Sequence, residues 1–143
     1  NEMIWEVESR SCNEGLVRIA VAAFSTQLNP TLEEVADIKT AVSEAITNCI
    51  VHAYDKGTEK IRIECRNEQR ELTVVVKDTG KGIEDVEKAM EPLYTTKPEQ
   101  DRSGMGFAFM EAFMDQVTVE SEPGKGTTVT MKKLIGRQNP VFE

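Results

Sequence analysis

Residues 3–9 run through Ile4, Trp5, Glu6, Val7 and Glu8, a near alternation that predicts a strand with one wet face. Trp5 reads as a core or interface anchor. Ser11 or Asn13 is placed to cap the next segment, which runs to about Gln27 with Leu16, Val17, Ile19, Val21 and Phe24 at helical spacing. Between Ser11 and Gln27 the only charges are Glu14 and Arg18, so apolar positions exceed the stripe that one packed face requires. A second buried face follows, met equally by a subunit contact or by a helix sandwiched inside one domain.

Asn29-Pro30 breaks that pattern, and Thr31-Leu32-Glu33-Glu34 restarts it as a capping box, with Ile38, Val42, Ala45, Ile46 and Cys49 carrying a helix to about Ala53. Asp55-Lys56-Gly57 ends it. A hairpin is predicted next, with strands over 60–66 and 72–77 and a polar turn over 67–70. A short acidic helix over 84–90 leads to Pro92. Residues 93–103 show no hydrophobic period, and a loop of about ten residues without structure in a compact domain is more often a lid or binding loop than filler. A helix over 104–114, a strand over 117–122, the turn Pro123-Gly124-Lys125-Gly126 and a strand over 127–134 complete the order. Antiparallel strands with helices on one face make an α/β two-layer sandwich. Residues 1–135 read as one domain and 136–143 as an unstructured tail.

Composition narrows the function classes. The formal net charge of −8 argues against general binding to nucleic acid or to an anionic membrane, both of which attract Lys and Arg clusters. No apolar run approaches the roughly 20 residues of a membrane span, and no signal-peptide pattern is visible. Three cysteines without C-x-x-C spacing suggest neither a disulfide framework nor a zinc site, which fits a reducing, cytoplasmic setting. Cys49, among Ile46, Ile50 and Ala53, reads as a small buried hydrophobe.

The chemistry concentrates between Asp78 and Gly106. An apolar strand runs into Asp78, and a carboxylate at a buried strand end is a fixed acceptor suited to an amino group on a planar ring. Gly80 and Gly82 let the backbone turn and approach a flat ligand with no Cβ in the way. Gly104-Met105-Gly106 precedes a helical run and aims unpaired N–H groups at phosphates. Upstream, Glu44, Asn48 and His52 recur at i, i+4 and i+8, a polar stripe on a helix that is otherwise largely apolar. Taken alone, that stripe is a solvated face, and D-x-G-x-G is a common turn; their combination in this order is what carries information.

With Glu44-x-x-x-Asn48, Asp78-x-Gly80-x-Gly82 and Gly104-x-Gly106, the chain resembles the ATP-binding superfamily shared by DNA gyrase, Hsp90, histidine kinases and MutL. Val42-Ser43-Glu44-Ala45-Ile46-Thr47-Asn48, Pro92-Leu93-Tyr94-Thr95-Thr96-Lys97-Pro98 and Arg102-Ser103-Gly104-Met105-Gly106-Phe107 bring it nearest, within that group, to the anti-sigma factor serine kinases of spore-forming bacteria. The resemblance implies a mixed, mostly antiparallel sheet with an ATP lid, ATP/ADP and Mg²⁺ as cofactors, and a homodimer. It implies Glu44 as general base, Asn48 as Mg²⁺ ligand and Asp78 as acceptor from the adenine amino group. Gly80, Gly82, Thr95, Thr96, Ser103, Gly104, Met105, Gly106 and Thr127 would line the nucleotide, with Lys97 and Arg102 near its phosphates or near the protein substrate. Arg18 would lie on the partner surface, with an intrahelical Glu14–Arg18 pair as the competing reading. The implied activity is inhibition of a sporulation sigma factor, combined with phosphorylation of an anti-anti-sigma factor on serine. A detached histidine-kinase-type catalytic domain, or an ATP-gated binding protein without transfer, uses the same site differently.

Overall fold

The computed structural model describes residues 1–53, 59–80, 90 and 106–136. In chain order these form β1 (Glu2–Glu8), α1 (Cys12–Ser25) with a 3₁₀ turn (Thr26–Leu28), α2 (Leu32–Asn48) running into a π-helical turn (Cys49–Ala53), β2 (Lys60–Glu68), β3 (Glu71–Asp78), α3 (Gly106–Phe113), β4 (Gln116–Glu122) and β5 (Gly126–Leu134). Residues 84–89 of the predicted acidic helix, the loop over 93–103 and residues 137–143 lie outside the described residues.

The sheet has the order β1-β2-β3-β5-β4. Among the described residues every pairing is antiparallel, where the sequence allowed for a mixed sheet. Register puts inward side chains in rows across all five strands. One row is Trp5, Ile63, Val76, Val129 and Val119, and the next is Met3, Cys65, Val74, Met131 and Val117. On this face lies a helical layer in which α2 packs between α1 and α3. Ile38, Ala41, Val42, Ala45, Ile46 and Cys49 of the α2 segment recur at helical spacing and are all buried in the core, so its inner stripe is continuous. The outer sheet face is charged: Glu64 accepts from Arg62 Nε at 2.9 Å and from Lys77 Nζ at 3.3 Å.

α1 meets the core with Val17, Val21 and Phe24, while Leu16 and Ile19 stay 58% and 60% exposed. Its surplus of apolar positions therefore lies on an open face, and the sandwiched-helix alternative fails. The predicted cap of α1 also fails. Ser11 already has helical dihedrals and makes no side-chain cap bond, while the Asn13 amide donates to the Glu8 carbonyl at 2.8 Å. The β2–β3 turn is tighter than predicted, because Glu68 still pairs with Glu71 and leaves Gln69 and Arg70 between them, Gln69 at φ 57°.

The capping box of α2 forms in both directions. Glu34 N–H donates to Thr31 Oγ1 at 3.1 Å, and Thr31 N–H donates to Glu34 Oε1 at 2.8 Å. The same carboxylate takes the Gly136 N–H, at 3.1 Å from each oxygen, while Arg70 donates to the Gly136 carbonyl. Gly136 is at φ +61°, and a Cβ there would stand 2.5 Å from the Leu28 carbonyl oxygen. Ile135, the last residue of the predicted domain, and Gly136, the first of the predicted tail, are thus held against the β2–β3 turn and the start of α2.

Glu34 serves two ends of the chain, whereas Thr31 serves one. Thr31→Ala should cost about 1 kcal/mol, the usual loss for an N-cap, and Glu34→Ala should cost more than Thr31→Ala. Urea unfolding with an unchanged m value checks both; equal losses would show that the Gly136 contact contributes nothing.

Candidate functional site

The site is built where the inward rows of the sheet run out. Asp78 follows Val76 by two residues, so strand periodicity turns its carboxylate to the same helix-covered face. It is 8% exposed. Oδ1 accepts from Gly80 N–H at 2.9 Å and from Thr127 N–H at 3.2 Å, and Oδ2 accepts from the Cys49 thiol at 3.5 Å. Burial pushes the Asp78 carboxyl above its ordinary range, and the hydrogen bonds from Gly80, Cys49 and Thr127 partly offset that push. Burial also raises the Cys49 thiol well above its usual value, with the Asp78 charge adding to the effect. The thiol therefore stays protonated and acts as a donor.

Each partner is placed by a different element. Thr127 lies directly across from Asp78 in the β3–β5 pairing. Its hydroxyl meets Ser121 Oγ at 2.8 Å, and Ser121 also donates to the Gly126 carbonyl at 2.9 Å. Gly126, at φ +95°, has no side-chain alternative: a Cβ would stand 2.1 Å from the Asp78 carbonyl oxygen. Cys49 opens the π-helical turn directly after Asn48. Such turns widen a helix by one residue and are frequent at functional sites.

Glu44 and Asn48 lie one turn apart on α2, both half-buried. Asn48 directly precedes Cys49, the residue that meets Asp78. His52 falls within the π-helical turn, where the 3.6-residue period assumed for the stripe no longer holds, and its side chain lies outside the described residues. Gly106 is the first described residue of α3. That helix is anchored at its other end by Lys133, which donates to the Phe113 carbonyl at 2.8 Å and pairs with Asp37 of α2 at 3.6 Å. A cation there satisfies an orphan carbonyl at the negative end of the helix. Gly82, Thr95, Thr96, Lys97, Arg102, Ser103, Gly104 and Met105 lie outside the described residues.

Arg18 makes the intrahelical pair expected as one of its two readings, Nε to Glu14 Oε2 at 3.1 Å, with its side chain 41% exposed. Glu14 Oε1 takes the Ser43 hydroxyl at 2.7 Å, which ties α1 to α2 next to Glu44. Sequence reasoning missed Cys49 as a polar participant, and it missed Ser121 altogether. Adjacency to Asn48 was the available signal for Cys49. Ser121 emerges only from the β4–β5 register, which pairs it with Thr127.

The sign of the Asp78 shift has a measurable consequence. A folded-state pKa above the unfolded one means stability present at low pH and lost as pH rises through the raised value. Asp78→Asn keeps an acceptor for both backbone N–H groups and removes the buried charge. The variant's stability relative to the parent should therefore climb with pH, from the ordinary aspartate value of 3.8 through the raised one, and then level off. Urea titrations of both proteins at a series of pH values read this; a difference independent of pH would mean that the carboxylate is not strained by burial.

Comparison with known proteins gives the family. Residues 7–133 match the family described as histidine kinase-like ATPase domain. The anti-sigma F factor of Caldanaerobacter subterraneus subsp. tengcongensis is 57% identical over 137 residues, covering 96% of either chain. That of Clostridium kluyveri is 54% identical over 134 residues, covering 94% of either. Among solved structures, the RsbU and RsbW domains of a Mycobacterium tuberculosis protein superpose with a TM-score of 0.70 at 17% identity, over all of this chain and 35% of that one, which speaks for the fold alone. A buried strand-end carboxylate held by Gly80, Thr127 and Cys49, with the Glu44–Asn48 helix beside it, is therefore found in a chain that belongs to the histidine kinase-like ATPase domain family, and within it to the anti-sigma F factors.

Proposed function

We propose that the protein is an anti-sigma factor that binds and inhibits a sporulation sigma factor and that, as an ATP-dependent serine kinase, phosphorylates its anti-anti-sigma factor. The observation that carries the nucleotide half is the Asp78 carboxylate, pinned through Oδ1 by two backbone N–H groups and left with acceptor capacity on Oδ2. An adenine amino group is a donor and fits it; guanine puts a carbonyl oxygen at the equivalent place and sets acceptor against acceptor. Names of the relatives support the sigma-factor half.

Asn48 offers a neutral oxygen, and among the described residues no group of three or more His, Cys, Asp or Glu could hold a metal on its own. This suits Mg²⁺, which keeps water and substrate phosphates as most of its ligands rather than an all-protein cage. Asn48 would hold the ion, and its chemistry when bound is to neutralise charge on the phosphate oxygens. Glu44 accepts the proton of the substrate serine hydroxyl as the new serine O–P bond forms and the bond from the γ-phosphorus to the bridging oxygen breaks, with ADP leaving. Gly80 and Gly82 give close backbone approach, and Thr127 supports the base end. Thr95, Thr96, Lys97, Arg102, Ser103, Gly104, Met105 and the start of α3 at Gly106 are assigned to the phosphates by the motif they share with the family.

Arg18 is assigned to the partner surface. Its exposed pair with Glu14 is worth only a few tenths of a kcal/mol and exchanges readily for a partner carboxylate. The open α1 face with Leu16 and Ile19, together with edge strand β1, is assigned to a homodimer contact. Three free cysteines, Cys12 among them exposed, suit a reducing cytoplasm.

Incubation with labelled ATP, Mg²⁺ and the anti-anti-sigma protein tests the reading. Acid-stable, alkali-labile phosphate on a serine is expected; acid-labile phosphate would point to histidine transfer, and no label to a binding protein. Glu44→Gln should lower transfer about 10²–10⁴-fold while nucleotide affinity is kept. Loss of binding with normal transfer per bound nucleotide would instead make Glu44 a structural or metal residue. Arg18→Glu should weaken sigma-factor binding at least about tenfold, the range of a lost charge-assisted contact, with ATP affinity and dimer mass unchanged. Unaltered sigma binding with slightly lower thermal stability would reduce Arg18 to a local helix contact.

A further inference from the structure

We infer that Cys49 is a positioning residue for base recognition, its thiol hydrogen bond fixing the one acceptor direction that Asp78 leaves open to an exocyclic amine. The inference rests on the reading of Asp78 as the adenine acceptor. A carboxylate offers about four lone-pair directions. On Asp78, Gly80 N–H and Thr127 N–H take both directions of Oδ1, at 2.9 and 3.2 Å, and the Cys49 thiol takes one of Oδ2 at 3.5 Å. Among the described residues a single direction remains, in a residue that is only 8% exposed. Asp78 is thereby reduced from a general anion to a directional reader of one N–H donor.

The placement of the thiol is specific. Cys49 is 4% exposed and is fixed at the first position of the π-helical turn, so its side chain has one neighbourhood rather than a choice of rotamers in solvent. A thiol is a weak donor. It orients Oδ2 without withdrawing the basicity that a ligand amine needs, and it fills space that would otherwise admit water to a second lone pair. Without it, a base lacking the amine loses less by comparison, since water competes at Oδ2 in either case.

The test compares ADP with purine riboside diphosphate, which lacks the exocyclic amine, by titration calorimetry. It uses the full chain, Cys49→Ala, Cys49→Val and Cys49→Ser. The parent is expected to prefer ADP by roughly tenfold or more, the scale of one buried hydrogen bond to a charged acceptor. In Cys49→Ala and Cys49→Val, ADP affinity should fall about five-fold, with purine riboside diphosphate affinity nearly unchanged, whereas Cys49→Ser, which restores a donor, should keep the parent's preference. Equal losses for both nucleotides, or an undiminished preference for ADP in Ala and Val, would overturn the role of Cys49 and reduce it to packing. If the parent itself binds the two nucleotides equally, the reading of Asp78 fails first and the inference falls with it. Thermal melts of the variants separate a folding loss from a recognition loss, and Cys49→Ser alone decides the matter if the other two do not fold: a lost preference there overturns the inference, a kept one upholds it.

Discussion

A buried carboxylate is the constraint around which this molecule is arranged. Water solvates such a group far better than a protein interior does, and the penalty is tolerable only when donors are aimed at it in advance. Three elements meet that requirement at Asp78: the turn after β3 through Gly80, the start of β5 through Thr127, and the end of α2 through Cys49. None of the three is adjacent to the others in the chain. Thr127 and Cys49 reach Asp78 only through the β3–β5 register and the packing of α2 against the sheet, so the hydrophobic rows behind Asp78 also fix the donors around it. Even so, burial wins over the donors in setting its proton affinity.

Gly126 shows how closely that register is specified. Its missing Cβ lets β5 pass within contact of the Asp78 carbonyl, and its positive φ starts the strand at the residue before Thr127. A one-residue slip of β5 would turn the valine and methionine of the inward rows outward and remove the Thr127 N–H from Asp78 at once. The apolar pattern and the site thus select the same alignment.

Much of this was legible in the chain wherever the determinant is local. The capping box at Thr31 and Glu34, the alternation in β1, the inner stripe of α2 and the excess of apolar residues in α1 are all short-range patterns, and each has its structural counterpart. The motif order Glu44, Asn48, Asp78, Gly80 pointed to the region in which the structure gathers Asp78, Gly80, Thr127 and Cys49. What could not be read is non-local or depends on backbone detail. The π-helical turn leaves no mark in residue spacing, so His52 was placed by a period that ends at Asn48. Cys49 looked like a core residue because burial is what free cysteines usually show, and only the position of Asp78 across the core gives its thiol a partner. Glu34 was legible as a cap; its second task, holding Gly136 from 102 residues away, was not. Ser11 is a good capping residue type that failed because the chain enters α1 already helical.

The two ends of the helical layer are built with different permanence. At the base end, the acceptors and donors around Asp78 are buried, and exchanging any of them exposes an unsatisfied group in a low-dielectric site, which is costly. At the other, Glu14 divides its carboxylate between Arg18, whose side chain is 41% exposed, and Ser43, one residue before Glu44. An exposed i,i+4 pair contributes only a few tenths of a kcal/mol and is easily traded for another partner. The Glu14–Ser43 bond, at 2.7 Å and partly buried, is the firmer half. A protein docking on α1 can therefore take the Arg18 guanidinium at little cost while Glu14 keeps its hold on α2. The helical layer is thus closed by buried bonds around Asp78 and by an exchangeable surface pair at Arg18.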